Sequence, residues 1–145
     1  MKIAMGSDHG GFKFKQSLVD YLKKQGHNII DVGCFNDESC DYPQYSYEAA
    51  VLVSKKIADR AIVICKSGIG NSIVANKVKG IRAALCFSIP QAKSSREHND
   101  ANVLAIGAAY IKPSSAKRLV AVWLKTKALG GRHARRVKQI KKLER

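Results

Sequence analysis

The 145-residue sequence predicts an α/β fold in which helices cover both faces of a doubly wound parallel sheet of about five strands. Apolar, β-branched segments alternate with segments of helical periodicity from the first residues onward, which is the pattern of consecutive right-handed βαβ units. The segment 61–65, AIVIC, is apolar throughout, as expected for a strand that is buried on both faces. We therefore expect a three-layer α/β/α sandwich of Rossmann-like architecture.

The first predicted strand, 2–7, is followed by a glycine-containing turn at 8–11 and by a helix that ends near Gly26. A second strand follows at 28–32, and the polar, irregular segment 33–43 predicts a surface loop. The helix is indicated by apolar residues at helical spacing, namely Phe14, Leu18, Tyr21 and Leu22.

The third predicted strand, 61–65, ends at Cys65 and is followed by a loop rich in glycine and serine. A short helix is expected at 72–77. A second helix is expected before the strand, and its apolar positions are Ala49, Ala50, Val53 and Ile57.

The second half of the chain adds strands at 83–87 and 103–106, the latter closed by Gly107. Ser88, followed by Pro90, predicts the start of the helix between them, which runs toward Glu97. The next helix is expected to be capped by Ser114 or Ser115, to bury Ala116, Leu119, Val120 and Trp123, and to end at Gly130 and Gly131.

We divide the chain into a main domain, 1–131, and a basic C-terminal helix, 132–145. Val137, Ile140 and Leu143 form a narrow apolar stripe among the charged side chains of this helix. Such a stripe suits packing on a second subunit, so we predict a homodimer, with a tetramer as the larger assembly. The alternative is disorder beyond about Lys141.

The net charge of +15 is concentrated near the C-terminus, where residues 112–145 carry twelve Lys and Arg and one acidic residue, Glu144. A basic tail of this kind can bind a nucleic acid backbone. It lacks interleaved aromatic residues that stack on bases. This favours the alternative to nucleic acid binding, a solvated helix face of which a part binds small phosphates.

The composition also restricts location and metal binding. The sequence shows no signal peptide and no apolar run long enough to span a membrane, so we expect a soluble, cytoplasmic protein. No CxxC pair is present, which favours free thiols. A zinc site formed by Cys34, Cys40 and His27 is an alternative whose spacing matches none of the usual patterns, so we expect neither a metal nor a cofactor.

Cys65 and the glycine loop that follows it are the strongest chemical signal in the sequence. The backbone N–H groups of such a loop, together with the start of a helix, favour anions and thiolate over thiol. A cysteine, whose free pKa is about 8.5, can then act as a base or a nucleophile near neutral pH. The alternative is a small buried hydrophobic residue followed by an ordinary turn.

Further polar residues are expected at the edge of the sheet where ligands bind in parallel α/β folds. We expect these side chains to meet at one edge, although each also has an ordinary explanation as a helix cap or a polar helix end. Arg132 and Arg136 share one face of the terminal helix and can bind one phosphate together, whereas Arg135 lies on another face. The residues expected at the edge are Asp8, His9, Cys65, Ser67, His98, Asn99 and Asp100.

Five separated motifs together span nearly the whole chain: GSDHGGFKFK (6–15), DYP (41–43), IVICKSGIGNSIVANKVKGIRAAL (62–85), SREHNDANVLAIG (95–107) and GGRHARRVKQI (130–140). In this order they make the sequence resemble the ribose-5-phosphate isomerase B family. The wider family includes galactose- and allose-6-phosphate isomerases. The resemblance implies that ribose 5-phosphate and ribulose 5-phosphate are interconverted through an enediolate in the pentose phosphate pathway, without metal or organic cofactor, at sites between two subunits.

The resemblance also implies roles for individual residues. Cys65 matches the base that moves the proton between two sugar carbons, and His98 matches the residue that opens the furanose ring. Ser67 and Asp8 complete the catalytic set that we predict. The substrate-binding set comprises Asp8, His9, Lys66, Ser67, Gly68, Ile69, Gly70 and Asn99, with Arg132 and Arg136 as phosphate ligands.

Three positions depart from the pattern of the family. Lys66 replaces a glycine directly after the base, Ser67 replaces a threonine, and Ala109 replaces an arginine that reaches the substrate in many members. These changes leave two alternatives open: a six-carbon sugar-phosphate isomerase, and a non-catalytic, basic nucleic-acid-binding protein on the same fold.

Overall fold

A computed structural model describes residues 1–144 of the chain, and these residues form five strands and six α-helices. The strands are β1 (Lys2–Ser7), β2 (Asn28–Gly33), β3 (Arg60–Cys65), β4 (Ala83–Leu85) and β5 (Val103–Gly107). The helices are α1 (Phe12–Lys24), α2 (Tyr42–Ser54), α3 (Ile69–Ala75), α4 (Ile89–Asn99), α5 (Pro113–Lys125) and α6 (Gly131–Lys142), with a 3-10 turn at His9–Gly11.

All strand pairs are parallel, and the strand order is β2-β1-β3-β5-β4. The chain leaves β1 toward β2 on one side and continues from β3 toward β5 and β4 on the other. The direction of winding therefore changes between β1 and β3, and ligands bind beyond the carboxyl ends of the strands at such a switch point. The predicted doubly wound α/β fold is confirmed.

Alternating side chains of the central strand β3 separate two hydrophobic cores. Ile62 and Ile64 face the layer that contains α1, α4 and α5. Ala61 and Val63 face the layer that contains α2 and α3. This period-two alternation of a strand that is apolar on both faces produces the predicted three-layer sandwich.

Trp123 is fully buried and joins two helices of the first layer. Its indole N–H donates a hydrogen bond of 3.2 Å to the Ser95 hydroxyl, which links α5 to α4. The guanidinium of Arg96 lies 5.8 Å from the Trp123 ring. Truncation of a large buried aromatic residue typically costs about 3–5 kcal/mol, so Trp123 contributes substantially to the packing of α5 on α4.

Several helix boundaries differ from the predicted ones. Helix α3 begins at Ile69 and ends at Ala75, so the glycine loop is shorter than expected. Helix α2 ends at Ser54, which leaves Ile57 outside the helix and 47% exposed. Because Pro43 occupies the first turn of α2, the helix begins inside the segment that was predicted to be a loop.

The predicted ends of two further elements are also wrong. Lys112, and not Ser114 or Ser115, is the N-cap of α5, because Pro113 starts the helix with a fixed φ and no unpaired N–H. Helix α5 ends at Lys125, before Gly130.

Strand β4 stops at Leu85, since the Phe87 N–H donates 2.8 Å to the Gln91 side chain at the start of α4. The predicted cap by Ser88 is confirmed, because its side chain accepts from the Gln91 N–H.

The C-terminal segment is helical through Lys142, and Arg145 lies outside the described residues. Of its apolar stripe, Val137 is buried, whereas Ile140 is 40% and Leu143 is 81% exposed. Helix α6 packs against α4 of the same chain. Within residues 1–144, no helix is both long enough and apolar enough to cross a membrane.

Candidate active site

The loop after β3 folds its backbone over the Cys65 thiol. The Gly68 N–H donates a hydrogen bond of 3.1 Å to Cys65 Sγ, and the cysteine is 5% exposed. Gly68 has a φ of 77°, and a Cβ at this position would lie 2.5 Å from Leu85 Cδ1 and 2.9 Å from the Gly107 nitrogen. Only glycine fits this conformation and this space, so the sequence specifies a backbone donor directed at the sulfur.

The remainder of the loop packs against the start of α2. The Ser67 hydroxyl accepts a hydrogen bond of 3.3 Å from the Ile69 N–H, which orders the turn. A Cβ at Gly70 would lie 2.4 Å from the Tyr42 hydroxyl oxygen, so Tyr42 is in close contact with the loop. Sequence reasoning did not select Tyr42 as a site residue, although it belongs to the DYP motif at 41–43.

Asp8 and His9 lie on the opposite side of the switch point from the loop. The Asp8 N–H donates 3.3 Å to the Ile64 carbonyl, which places the start of this segment beside the end of β3. The Asp8 side chain is buried, and its Oδ1 accepts 2.9 Å from the Gly11 N–H. The exposed His9 accepts 3.2 Å at Nδ1 from the Cys40 N–H. We call Asp8, His9, Cys65 and residues 66–70 the carboxyl-edge cluster.

Lys66 and Ala109, the two principal departures from the family pattern, are neighbours. The Ala109 N–H donates 3.0 Å to the Lys66 carbonyl. Both residues are exposed, and Lys66 is not among the residues other than glycine that have a positive φ. Lysine is therefore accommodated without backbone strain. Its ammonium group extends from a position next to Ala109, where many family members carry an arginine.

His98, Asn99 and Asp100 lie at the opposite edge of the sheet, so the prediction that they join Cys65 within one chain is wrong. Arg82, which precedes β4, donates from Nε to the Asn99 carbonyl at 2.9 Å and pairs with the Asp100 carboxylate at 3.1 Å. A crossover helix in a parallel sheet runs back from the carboxyl edge to the amino edge, and α4 ends there. The six residues of β3 separate the two edges by about 17 Å.

Helix α6 adds residues to this second group. The rings of His98 and His133 stack with centroids 4.3 Å apart. Burial lowers the pKa of His133, and so do the nearby His98, Arg132 and Arg136. Sequence reasoning missed His133, because its stacking partner lies 35 positions away in the chain. We call His98, Asn99, Arg132, His133 and Arg136 the amino-edge cluster.

A large cavity also lies on the amino-edge side. It has a volume of about 780 Å³ and is bordered by Lys77, Lys79, Arg82, Asn99, Ile140 and Leu143. Cys65 does not border it. The cavity lies between the edge strand β4 and the end of α6.

The alternative zinc site does not form. Within residues 1–144, no group of three or more His, Cys, Asp or Glu side chains is placed to hold a metal ion. Burial lowers the pKa of His27, and so does the nearby N-terminal amine. Cys34 and Cys40 instead lie beside the end of β1, where Cys34 bonds Ser7 and Cys40 bonds His9.

The family model described as Ribose/Galactose Isomerase matches residues 3–140. Ribose-5-phosphate isomerase B of Escherichia coli is 43% identical over 143 residues, which cover 99% of this chain and 96% of that protein.

Solved structures give the same result. Ribose-5-phosphate isomerase B of Clostridium thermocellum is 49% identical, with a TM-score of 0.98 over 99% of this chain and 97% of that chain. The enzyme of Mycoplasma genitalium, solved with bound ribulose-5-phosphate, is 36% identical, with a TM-score of 0.94 over 99% of this chain and 95% of that chain. The chain therefore belongs to the ribose/galactose isomerase family, which confirms the resemblance seen in its sequence motifs.

Proposed function

We propose that this protein is a ribose-5-phosphate isomerase of type B, which interconverts ribose 5-phosphate and ribulose 5-phosphate. The observation that carries the proposal is the hydrogen bond of 3.1 Å from the Gly68 N–H to Cys65 Sγ, beside Asp8 at the switch point of the sheet. The relatives named above, one of them with ribulose-5-phosphate bound, support this choice of substrate.

Cys65 acts as the base in the proposed reaction. The Gly68 N–H donates to Cys65 Sγ, so a backbone hydrogen-bond donor is in place for the thiolate that acts as the base in this proposal. The thiolate removes the proton from C2 of the open-chain aldose, which leaves an enediolate. The resulting thiol returns the proton to C1, and the hydroxyl proton on O2 passes to O1, which produces the ketose. The proposed chemistry uses no metal and no organic cofactor.

The rest of the carboxyl-edge cluster stabilises the charge and positions the sugar. Negative charge develops on the oxygen of the enediolate, and preorganised N–H donors stabilise it as it forms. The loop from Lys66 through Ser67, Ile69 and Gly70 provides these donors in the proposal. One carboxylate oxygen of Asp8 accepts a hydrogen bond from the Gly11 N–H. In the proposal, the other oxygen accepts from a substrate hydroxyl, and His9 provides a further substrate contact.

The amino-edge cluster supplies the other half of the site. In this proposal, His98 opens the furanose ring, Asn99 contacts the sugar, and Arg132 and Arg136 bind the phosphate. Arginine suits the last task, because its planar fork of donors matches phosphate oxygens. Holding the phosphate at a distance from the reacting carbons orients the substrate for proton transfer.

The two clusters require two copies of the chain. An open five-carbon sugar phosphate is shorter than the separation of about 17 Å between the two edges of one sheet. We therefore propose a homodimer in which the carboxyl-edge cluster of one subunit faces the amino-edge cluster of the other, and from which a tetramer can form. In this arrangement, the terminal segment 132–145 of one subunit packs on domain 1–131 of the other subunit. We also propose that the enzyme acts in the cytoplasm, where phosphorylated sugars are retained.

The decisive experiment compares turnover of five- and six-carbon aldose phosphates by the purified protein and by two cysteine variants. We expect the highest kcat/KM with ribose 5-phosphate and no turnover by Cys65→Ala. Cys86→Ala is the matched control, because Cys86 is also buried after a strand but lies in the hydrophobic core. Full activity of Cys65→Ala would contradict the proposal, and preference for a six-carbon substrate would revise it. Salt-sensitive RNA binding without any turnover would favour the non-catalytic alternative.

A further inference from the structure

Two cysteines that have no role in the proposed reaction lie next to the carboxyl-edge cluster. The Cys34 N–H donates 2.7 Å to the Ser7 carbonyl, and the Cys40 N–H donates 3.2 Å to His9 Nδ1. Ser7 and His9 are two residues apart, a span of at most about 7 Å. Both cysteine backbones are thus anchored at the end of β1, Cys34 on the Ser7 carbonyl and Cys40 on the His9 ring.

The two thiols are close enough to influence each other, and they differ in accessibility. Burial raises the pKa of Cys34, and so does a hydrogen bond with the Cys40 side chain. Cys34 is 4% exposed, and its Sγ lies 3.1 Å from the Asn36 carbonyl. Cys40 is only partly buried, so a dissolved oxidant reaches it first.

We propose that Cys34 and Cys40 form a reversible disulfide when the protein meets a peroxide, and that this disulfide alters the position of His9. The Cys40 thiolate attacks one oxygen of hydrogen peroxide, the O–O bond breaks, and Cys40 becomes a sulfenic acid as one water leaves. The Cys34 sulfur then attacks the Cys40 sulfur, the S–O bond breaks, and a second water carries away the Cys34 proton. Two thiols lose two electrons and two protons, and one peroxide is reduced to two waters.

The segment between the cysteines permits Cys40 to move toward Cys34 when the disulfide forms. Residues 35–39 are all exposed, and Cys40 is followed within two residues by the start of α2. Drawing Cys40 toward Cys34 moves the N–H that fixes the His9 ring, and also moves the chain that leads to Tyr42. A small displacement of groups that position a substrate lowers the rate, so we expect about tenfold lower kcat/KM in the oxidised protein. This consequence for activity rests on the proposed function, whereas disulfide formation does not.

The disulfide is tested by mass spectrometry. No Lys or Arg lies between Lys24 and Lys55, so trypsin releases Cys34 and Cys40 together in one peptide, 25–55. After treatment with hydrogen peroxide, we expect this peptide to be two hydrogens lighter and protected from alkylation. Dithiothreitol should restore the two hydrogens and the reaction of both thiols with the alkylating reagent. Cys34→Ser should abolish the change, and Cys86→Ser, a buried cysteine elsewhere, should not. A peptide that keeps both hydrogens, or gains oxygen without forming the bridge, would overturn the proposal.

The effect on the site is tested by activity in the same samples. Wild-type protein and Cys34→Ser both contain Cys65, so oxidation of that residue affects them equally. We expect peroxide to inactivate the wild type more strongly than Cys34→Ser, with recovery in dithiothreitol. Equal inactivation, in samples where the bridge has formed, would overturn the effect on His9. If the reduced protein has no isomerase activity, the proposed function fails, while the mass measurement still decides whether the disulfide forms.

Discussion

The imidazole rings of His98 and His133 stack almost parallel, with centroids 4.3 Å apart and an angle of 6° between their planes. His98 lies in the last turn of α4, and His133 lies in the first turn of α6. The stack therefore docks the terminal helix on the main domain, together with the buried Val137. Protonation of His133 would place a positive charge beside the His98 ring and near Arg132 and Arg136, so docking depends on pH.

We predict that acidification destabilises the wild type more than His133→Phe, which keeps a ring for stacking but has no titratable group. The pKa of His133 is lowered from 6.5 by burial, then by His98, Arg132 and Arg136, while Glu97 raises it. A folded state whose histidine pKa lies below the unfolded value binds fewer protons. The contribution of unprotonated His133 to the free energy of unfolding is therefore fully present above about pH 6.5 and is lost as the pH falls below that value. Thermal unfolding measured at about pH 7.5 and about pH 5.5 checks this, and an equal decrease in Tm for both proteins would contradict it.

We predict that a heterodimer of Cys65→Ala and His98→Ala subunits is active although each parent homodimer is not. In a shared site, Cys65 comes from one subunit and His98 from the other, so one of the two sites in the heterodimer is intact. Coexpression with two different affinity tags isolates the heterodimer, and its activity should be about half that of the wild type.

The tagged wild-type dimer is the control for this measurement. An inactive heterodimer would mean that both residues act within one chain, which the separation of the two edges of the sheet does not favour.

The strands and the glycine loop were predictable, because their signals are local. The apolar run that ends at Cys65 and the glycine residues after it specify a buried strand and a tight turn, whatever surrounds them. The start of α4 was predictable for the same reason, since Ser88 and Pro90 define it within a single turn.

The sequence also contained enough information to place His98 at the amino edge, but our prediction placed it at the carboxyl edge with Cys65. Residues that precede a strand of a parallel sheet lie at the opposite edge from residues that follow one, and His98 precedes β5. The stack with His133 and the packing of Tyr42 on Gly70 depend on tertiary contacts between distant segments. No local pattern specifies such contacts.

We predict that Lys66 replaces the cation that is absent at position 109. Because the Ala109 N–H bonds the Lys66 carbonyl at 3.0 Å, the two side chains begin beside each other. Lys66→Ala should raise KM for ribose 5-phosphate about fivefold through loss of attraction to the dianionic substrate. Adding Ala109→Arg to this variant should restore KM.

Steady-state kinetics at low ionic strength provides the measurement, with Lys23→Ala as the control for loss of one exposed charge on α1. If Lys66→Ala and Lys23→Ala have the same KM, the side chain at 66 does not contact the substrate.

We predict that Arg136→Ala weakens substrate binding without slowing the chemical step. A phosphate contact exists in both the ground state and the transition state, so its loss raises KM and leaves kcat nearly unchanged. We expect KM to rise about tenfold, as for the loss of one charged hydrogen-bond donor. Arg135→Ala is the matched control, because Arg135 is the adjacent exposed arginine on another face of α6. Initial rates across a range of ribose 5-phosphate concentrations decide the matter. If both variants behave alike, the effect is one of total charge, and Arg136 does not bind the phosphate directly.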